Sequence, residues 1–241
     1  TAVVAVMSAG HRLAGTWESR VARYVTPSQH AKQVYVDGGW SPRQIEVIPN
    51  FVYPDPGQGA GDGGYAMYAG RLAPSKGLDT LLDAWSDAAV RLPLKIVGEG
   101  PLKNFVRGAA RANPLVEYLG EVDAAAVSDL VGRAKFAIVP TKGIETFGRV
   151  AAEALAHGTP ALVAGHGGLS EIVDDGENGL VFPPGDVRAL IKAVEVLQKD
   201  APRLLEMRQG ARARFLDRFA GDRALASWID LYRRVVAEEA T

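Results

Sequence analysis

Six short apolar runs punctuate the chain: Tyr65 to Ala69, Leu94 to Val97, Leu115 to Leu119, Phe136 to Val139, Ala161 to Val163 and Leu180 to Phe182. Amphipathic segments lie between them, and this alternation predicts a parallel sheet wrapped by helices, an α/β Rossmann-like fold. Leu78, Leu81, Leu82 and Trp85 recur at helical spacing within a helix expected over Gly77 to Ala88, which puts Trp85 in the core rather than on a ligand. From Asp186 onward the pattern is helical over Val187 to Lys199, Pro202 to Phe215 and Asp222 to Ala237, with Pro202 suited to a first turn. In the last of these Leu225, Trp228, Ile229, Tyr232 and Val236 form an apolar stripe.

The pattern upstream is different. Tyr53 to Gly64 is a run of prolines and glycines that neither helix nor strand can absorb, and it is the best linker in the chain. Before it come a polar stretch around His11 to Arg23, an apolar pair Tyr24-Val25, a helix expected over Pro27 to Asp37 and a short strand at Ile45 to Ile48. These pieces are too few for a domain and read as the tail of one. The opening, Thr1 to Met7, is too short to span a bilayer and lacks a basic flank, so a buried strand or helix end is expected there. The resulting division is a tail at 1–52, a linker at 53–64, a main domain at 65–215 and a final helix at 216–241.

Composition narrows the function. The chain is 47% hydrophobic and 23% charged, ordinary for a globular domain, and 27 basic against 28 acidic side chains leave a net charge of -1. No global field draws nucleic acid or an anionic membrane, so any anion site must be built locally. The absence of cysteine excludes disulfides, thiolate nucleophiles and cysteine-ligated zinc, and is compatible with the expected cytoplasmic location.

In a doubly wound sheet ligands bind beyond the carboxyl ends of the strands, where glycine-rich turns aim helix N-termini at phosphate. Two strands end in such turns, Gly70-Arg71-Leu72-Ala73-Pro74-Ser75-Lys76-Gly77 and Gly98-Glu99-Gly100-Pro101. Arg71 and Lys76 are a forked donor and a point charge of the kind that grips a diphosphate; taken alone, they are equally a pair of solvated surface cations. Glu145-Thr146-Phe147-Gly148-Arg149-Val150-Ala151-Ala152-Glu153 tips the balance. In one continuous helix its two glutamates would stand about 12 Å apart and roughly 80° around the axis, too far to share a metal or a proton. A helix starting near Gly148 instead leaves Glu145 in a loop and Glu153 on the helix, with free first-turn amides between. Carboxylates accept hydrogen bonds from vicinal hydroxyls, so they suit the two hydroxyl-rich ends of a nucleotide sugar, with amides and cations in the middle. Asp174-Asp175, adjacent acids in a glycine-rich turn, read as solvated loop residues rather than metal ligands, and His11, His157 and His166 carry no catalytic signal.

The order of these motifs resembles glycosyltransferase family 4, retaining enzymes of the two-domain GT-B architecture. Gly70-Arg71-Leu72 with Lys76-Gly77, then Val97-Gly98-Glu99-Gly100-Pro101, Glu145-x7-Glu153, Gly158-Thr159-Pro160 and Asp175-Gly176-Glu177-Asn178-Gly179-Leu180 stand in the family's sequence. Upstream, His11-Arg12, Gly15-Thr16-Trp17, Tyr24-Val25-Thr26-Pro27-Ser28 and Ile48-Pro49-Asn50 are similar to the end of the family's first domain and its crossover. The resemblance implies hexosyl transfer from a nucleotide-diphosphate sugar to a hydroxyl acceptor, without metal or other cofactor. It gives Arg71 and Lys76 the diphosphate, Glu145 the transferred sugar and Glu153 the ribose. Gly70, Gly98, Thr146, Phe147, Gly148, Arg149 and Val150 complete the cradle, with the base near Gly120 to Val122 and Thr141-Lys142. Glu145, Arg71 and Lys76 would then carry the catalysis. It also implies an N-terminal acceptor-side domain or partner chain beyond this sequence, so that the chain alone binds the sugar donor without transferring it, and a last helix that crosses back to the first domain. A related epimerase or phosphorylase, or a non-catalytic binding subunit, are the alternatives.

Overall fold

The computed structural model describes residues 2–239. The N-terminal part comprises α1 (Ala2–Leu13), α2 (Thr16–Arg20), β1 (Tyr24–Thr26), α3 (Gln29–Asp37) and β2 (Ile45–Val47), with β1 and β2 paired in parallel. The larger part runs β3 (Ala66–Ala69), α4 (Leu78–Trp85), β4 (Leu94–Val97), α5 (Lys103–Ala112), β5 (Val116–Gly120), α6 (Ala124–Arg133), β6 (Phe136–Val139), α7 (Arg149–Ala156), β7 (Ala161–Ala164), β8 (Gly179–Phe182), α8 (Val187–Lys199), α9 (Ala201–Arg218) and α10 (Gly221–Glu239). Its six strands are parallel in the order β5-β4-β3-β6-β7-β8. The sheet grows outward in both directions from the β3–β6 pair, the doubly wound pattern that opens a crevice at the carboxyl ends of that pair.

Both faces of the sheet are covered. Leu78, Leu81 and Trp85 of α4, Val106 of α5 and Leu190 and Val194 of α8 pack with Leu94, Ile96, Phe136 and Ile138 on one side. Met67, Ala137 and Val163 face Val131 of α6, Ala154 and Leu155 of α7 and Ala211 and Phe215 of α9 on the other. Trp85 is 1% exposed and its indole donates to the Leu92 carbonyl at 2.8 Å, so it is core, as the periodicity predicts. Truncating a leucine as deep as Leu81 costs about 2 to 5 kcal/mol.

The run 53–64 has no helix or strand, yet α9 straps it to the base of the sheet. Arg208 donates to the Gly59 carbonyl at 2.6 Å, and Arg212 holds both Asp55 oxygens at 2.8 and 2.6 Å. Gly59 itself lies so close to Gly132 that a Cβ there would stand 2.2 Å from its carbonyl oxygen.

The opening departs from expectation. Residues 2–13 form a helix with no buried residue; Val3 and Val6 are 70% and 72% exposed, and Thr1 falls outside the described residues. An apolar run without Gly or Pro before Gly10 makes a helix as readily as a strand, and only its neighbours decide whether it is covered. The stretch from His11 is also more ordered than its polarity suggests: α1 continues to Leu13, α2 follows, and Arg12 donates to the Gly38 carbonyl. On α10 the buried positions are Ala224 and Leu231, while Leu225, Ile229, Tyr232 and Val236 of the expected stripe are exposed and Trp228 lies against Tyr232. The helix runs back to the N-terminal part, where Arg234 pairs with Glu46 at 2.9 Å and Glu238 with Arg23. Among the described residues no helix is long and apolar enough to cross a membrane.

Candidate functional site

The turns after β3 and β4 interlock at the crevice. Gly70 N donates to Val97 O at 3.0 Å, Leu72 N to Glu99 O at 2.8 Å, Gly98 N to Gly120 O at 2.8 Å and Leu102 N to Leu72 O at 2.9 Å. Gly98 has φ 137°, and a Cβ on it would stand 1.9 Å from the Gly70 oxygen, so its role is close backbone approach. The amides of Gly70 and Gly98 are thereby engaged with the protein. The glycines of these turns thereby shape the floor of the crevice.

A run of unengaged amides opens α7. Gly148, with φ 102°, redirects the chain into the helix, and among the described residues the amides of Phe147, Gly148, Arg149 and Val150 have no protein acceptor. Glu145 precedes the helix and Glu153 lies within it, as the spacing predicts. Phe147 is buried edge-on against Phe219, ring centres 5.7 Å apart, which anchors the turn from behind.

A cleft of about 390 Å³ lies beside this turn, lined by Gly70, Arg71, Gly98, Val122, Val150 and Glu153, with Ala69, Val97, Glu99, Glu121 and Val127. Glu153 is half-buried and accepts from Arg149 Nε at 2.7 Å, while the Arg149 side chain is 79% exposed. Glu99 is held by Lys103 at 2.5 Å, and that ammonium keeps its carboxyl below the ordinary carboxylate range. Arg71 is exposed at the mouth and makes no ion pair among the described residues.

Lys76 and Glu145 form a second centre. The Ser75 carbonyl accepts from Thr141 Oγ1 at 2.9 Å, Lys142 N at 2.8 Å and Gly143 N at 2.9 Å, joining the loop after β3 to the loop after β6. This clasp brings the Lys76 ammonium onto the Glu145 carboxylate. Thr141 and Lys142, expected near a base, take part in the clasp; Thr141 is buried and Lys142 reaches Asp79 at 2.5 Å. The buried Tyr68 hydroxyl donates to Arg71 O at 2.9 Å, and burial first, then the field of Glu145, push its pKa upward, so the phenol stays neutral. The Glu145 carbonyl accepts from Gly168 N at 2.7 Å, and the Thr146 carbonyl accepts from Ser28 Oγ at 2.5 Å.

Sequence reasoning missed Ser28, Glu171 and Tyr68 here. Ser28 carried one signal, a serine opening a helical stretch; its contact with Thr146, far along the chain, carried none. His157 is buried against Ser128 Oγ at 2.9 Å and His166 Nε2 meets the Gly143 carbonyl at 2.8 Å. Asp174 accepts from Arg214 at 3.1 Å and Asp175 from Val181 N at 2.8 Å, so both shape their turn rather than lying free in solvent. Among the described residues no three His, Cys, Asp or Glu side chains converge as a metal would require.

Residues 56–214 match the family described as Glycosyl transferases group 1. The chain belongs to this glycosyltransferase family. The glycosyltransferase chain is 35% identical over 187 residues to the D-inositol 3-phosphate glycosyltransferase of Stackebrandtia nassauensis, covering 69% of this chain and 42% of that protein. It is 32% identical over 159 residues to the glycogen synthase of Mycobacterium tuberculosis, covering 64% and 38%. The chain thus spans about two fifths of the length of these curated relatives. Among solved structures it is similar to the sucrose-phosphate synthase of Thermosynechococcus elongatus, with TM-score 0.77 and 25% identity over 89% of this chain and 58% of that one. It is also similar to Anabaena HepE in complex with UDP and glucose, with TM-score 0.78 and 21% identity over 88% and 63%. These likenesses match the Rossmann-like sheet to the GT-B glycosyltransferase fold.

Proposed function

We propose that the crevice binds a nucleotide-diphosphate sugar and that the whole enzyme transfers its hexose to a hydroxyl acceptor with retention. One observation carries the reading: the free amides of Phe147 to Val150 lie between a loop carboxylate and a helix carboxylate, with Arg71 and Lys76 at the adjoining strand end. The amides and cations suit a diphosphate, Glu153 the ribose and Glu145 the hexose. Lys76 has three donors, so it can hold Glu145 and a phosphate oxygen together, which lets a carboxylate stand close to an anionic ligand. Val122, Val97 and Val127 give the far end of the cleft an apolar wall for the base. The UDP and glucose in the similar HepE structure are in keeping with this ligand class.

In this reading the bond from the sugar C1 to the phosphate oxygen breaks as the bond from C1 to the acceptor oxygen forms on the same face. The departing phosphate takes the acceptor's proton. Negative charge grows on the phosphate as it leaves, and donors fixed beforehand stabilise that charge without reorganising. Arg71, Lys76 and the amides supply the positive potential, so the scheme calls on no metal. Residues 65–215 are assigned to the sugar-donor side and residues 1–52 to the acceptor side, with 53–64 between them.

The test is a thermal-shift panel of UDP-, GDP- and ADP-sugars on the chain. A ligand at 100 times its Kd stabilises the folded state by about 2.7 kcal/mol, a shift easily read. One nucleotide class should raise Tm, and Arg71→Ala should diminish the shift. No shift with any sugar nucleotide overturns the proposal.

A further inference from the structure

The loop carrying Glu145 is held from outside the large sheet. Ser28 is 1% exposed and uses its hydroxyl twice: it accepts from Ala31 N at 3.0 Å, capping α3, and donates to the Thr146 carbonyl at 2.5 Å. Glu171 makes a second tie. Its two carboxylate oxygens accept from Gln29 N at 2.9 Å and His30 N at 2.8 Å, satisfying free amides at the N-terminus of α3. Glu171 closes the single turn Gly167–Glu171, whose Gly168 N donates to the Glu145 carbonyl at 2.7 Å. Gly167 packs so closely on Glu145 that a Cβ there would stand 2.5 Å from its carbonyl oxygen.

Two routes therefore run from α3 to residues 145 and 146, one direct and one through Glu171. Among the described residues no hydrogen bond joins residues 28–37 to Arg71, Gly98, Val122 or Glu153. We infer that Ser28 and Glu171 are positioning residues for the hexose end of the cleft. Sugar recognition then depends on α3 being seated far more than recognition of the nucleoside diphosphate does, since of the four cradle amides only that of Phe147 shares a peptide with the Thr146 carbonyl. This rests on the proposed function, and it adds a link between the N-terminal part and chiefly one end of the ligand.

The experiment is calorimetry on the full chain with three ligand pairs: UDP and UDP-glucose, GDP and GDP-mannose, ADP and ADP-glucose. For the pair that binds, Ser28→Ala should weaken the sugar nucleotide roughly fivefold to tenfold, the scale of one lost hydrogen bond, and leave the nucleoside diphosphate within about twofold. Glu171→Gln should move the same ligand in the same direction, and it keeps the test open should Ser28→Ala fail to fold. Ser28→Thr, which retains the hydroxyl, should restore affinity. In a Glu145→Ala background neither substitution should weaken the sugar nucleotide further. Equal losses for both ligands, or no loss for the sugar nucleotide, overturn the positioning role while the proposed function stands. Failure of all three nucleoside diphosphates to bind the unsubstituted chain overturns the proposed function, and the positioning role with it.

Discussion

Glu153, which lines the cleft, and Glu145, in the neighbouring centre with Lys76, are held in opposite ways. Glu153 sits on α7 and, among the described residues, its one ion pair is with Arg149, a turn earlier on the same helix. Glu145 sits in a loop fixed by partners from β3's turn, from the Gly167–Glu171 turn and, through Thr146, from Ser28. The helix end is thus locally encoded, and the loop end is a product of tertiary structure. Perturbing the scaffold should therefore damage the loop end first.

The same substitution inside and outside the clasp that holds the loop end gives the largest contrast. Gly77 lies at the clasp with φ 69°, and a Cβ there would stand 1.8 Å from the Pro140 oxygen; Gly120 has φ 75° but open space. Gly77→Ala should destabilise the chain by about 2 to 4 kcal/mol, combining backbone strain with overpacking. Gly120→Ala should cost only about 1 kcal/mol, for the left-handed conformation alone. Urea midpoints read both, and equal costs would show that the clasp holding the loop end adds no packing constraint.

Ligand binding sharpens it. Lys76→Ala should lower nucleoside diphosphate affinity by about 1.5 to 3 kcal/mol, as expected for a charged hydrogen bond. Glu153→Ala should weaken nucleoside diphosphate and sugar nucleotide alike by a similar amount, about 1.5 to 3 kcal/mol. Glu145→Ala should weaken only the sugar nucleotide, since the pairing with Lys76 is internal to the protein. Calorimetry separates these outcomes, and loss of free nucleoside diphosphate binding in Glu145→Ala would show that the ends are assigned the wrong way round.

The smallest effect concerns pH. His157, at the end of α7, has its pKa lowered from 6.5 by burial first and by the Arg212 and Arg208 charges next. The unfolded chain then binds the proton more readily, so this contribution to stability is complete above about pH 6.5 and is lost as pH falls through the depressed value. Asp55, lowered chiefly by its hydrogen bonds to Arg212, loses its contribution only below its ordinary 3.8. A Tm profile across the upper window should flatten in His157→Gln, and an unchanged profile would remove His157 from the account.

What was legible in the sequence follows the same division. All six strands of the large sheet, the Trp85 core position and the loop-and-helix split of the glutamates could be read, because each rests on a run of neighbours in the chain. The clasp on the Ser75 carbonyl, the Lys76–Glu145 pair and the Ser28 contact could not, because each joins residues from distant loops whose types would be equally at home in solvent. Gly98 was legible as a special position but not in its purpose, since one residue type serves phosphate approach and backbone approach alike. The exposure of α1 was illegible for a related reason: apolarity marks what is available for burial, not what is buried.

The strand order has a consequence for how the chain acquires its shape. β3 pairs with β4 soon after it in sequence, but its other neighbour is β6, so that Ala66 waits for Phe136. Closing the centre of the sheet means joining two stretches already far apart along the polymer, an entropically slow event. A ribosome delivering this chain in order would leave the β6-facing edge of β3 unpaired through the synthesis of α4, β4, α5, β5 and α6. Folding should then gather the β3–β5 half first, with the crevice taking form only when β6 docks as the last central partner.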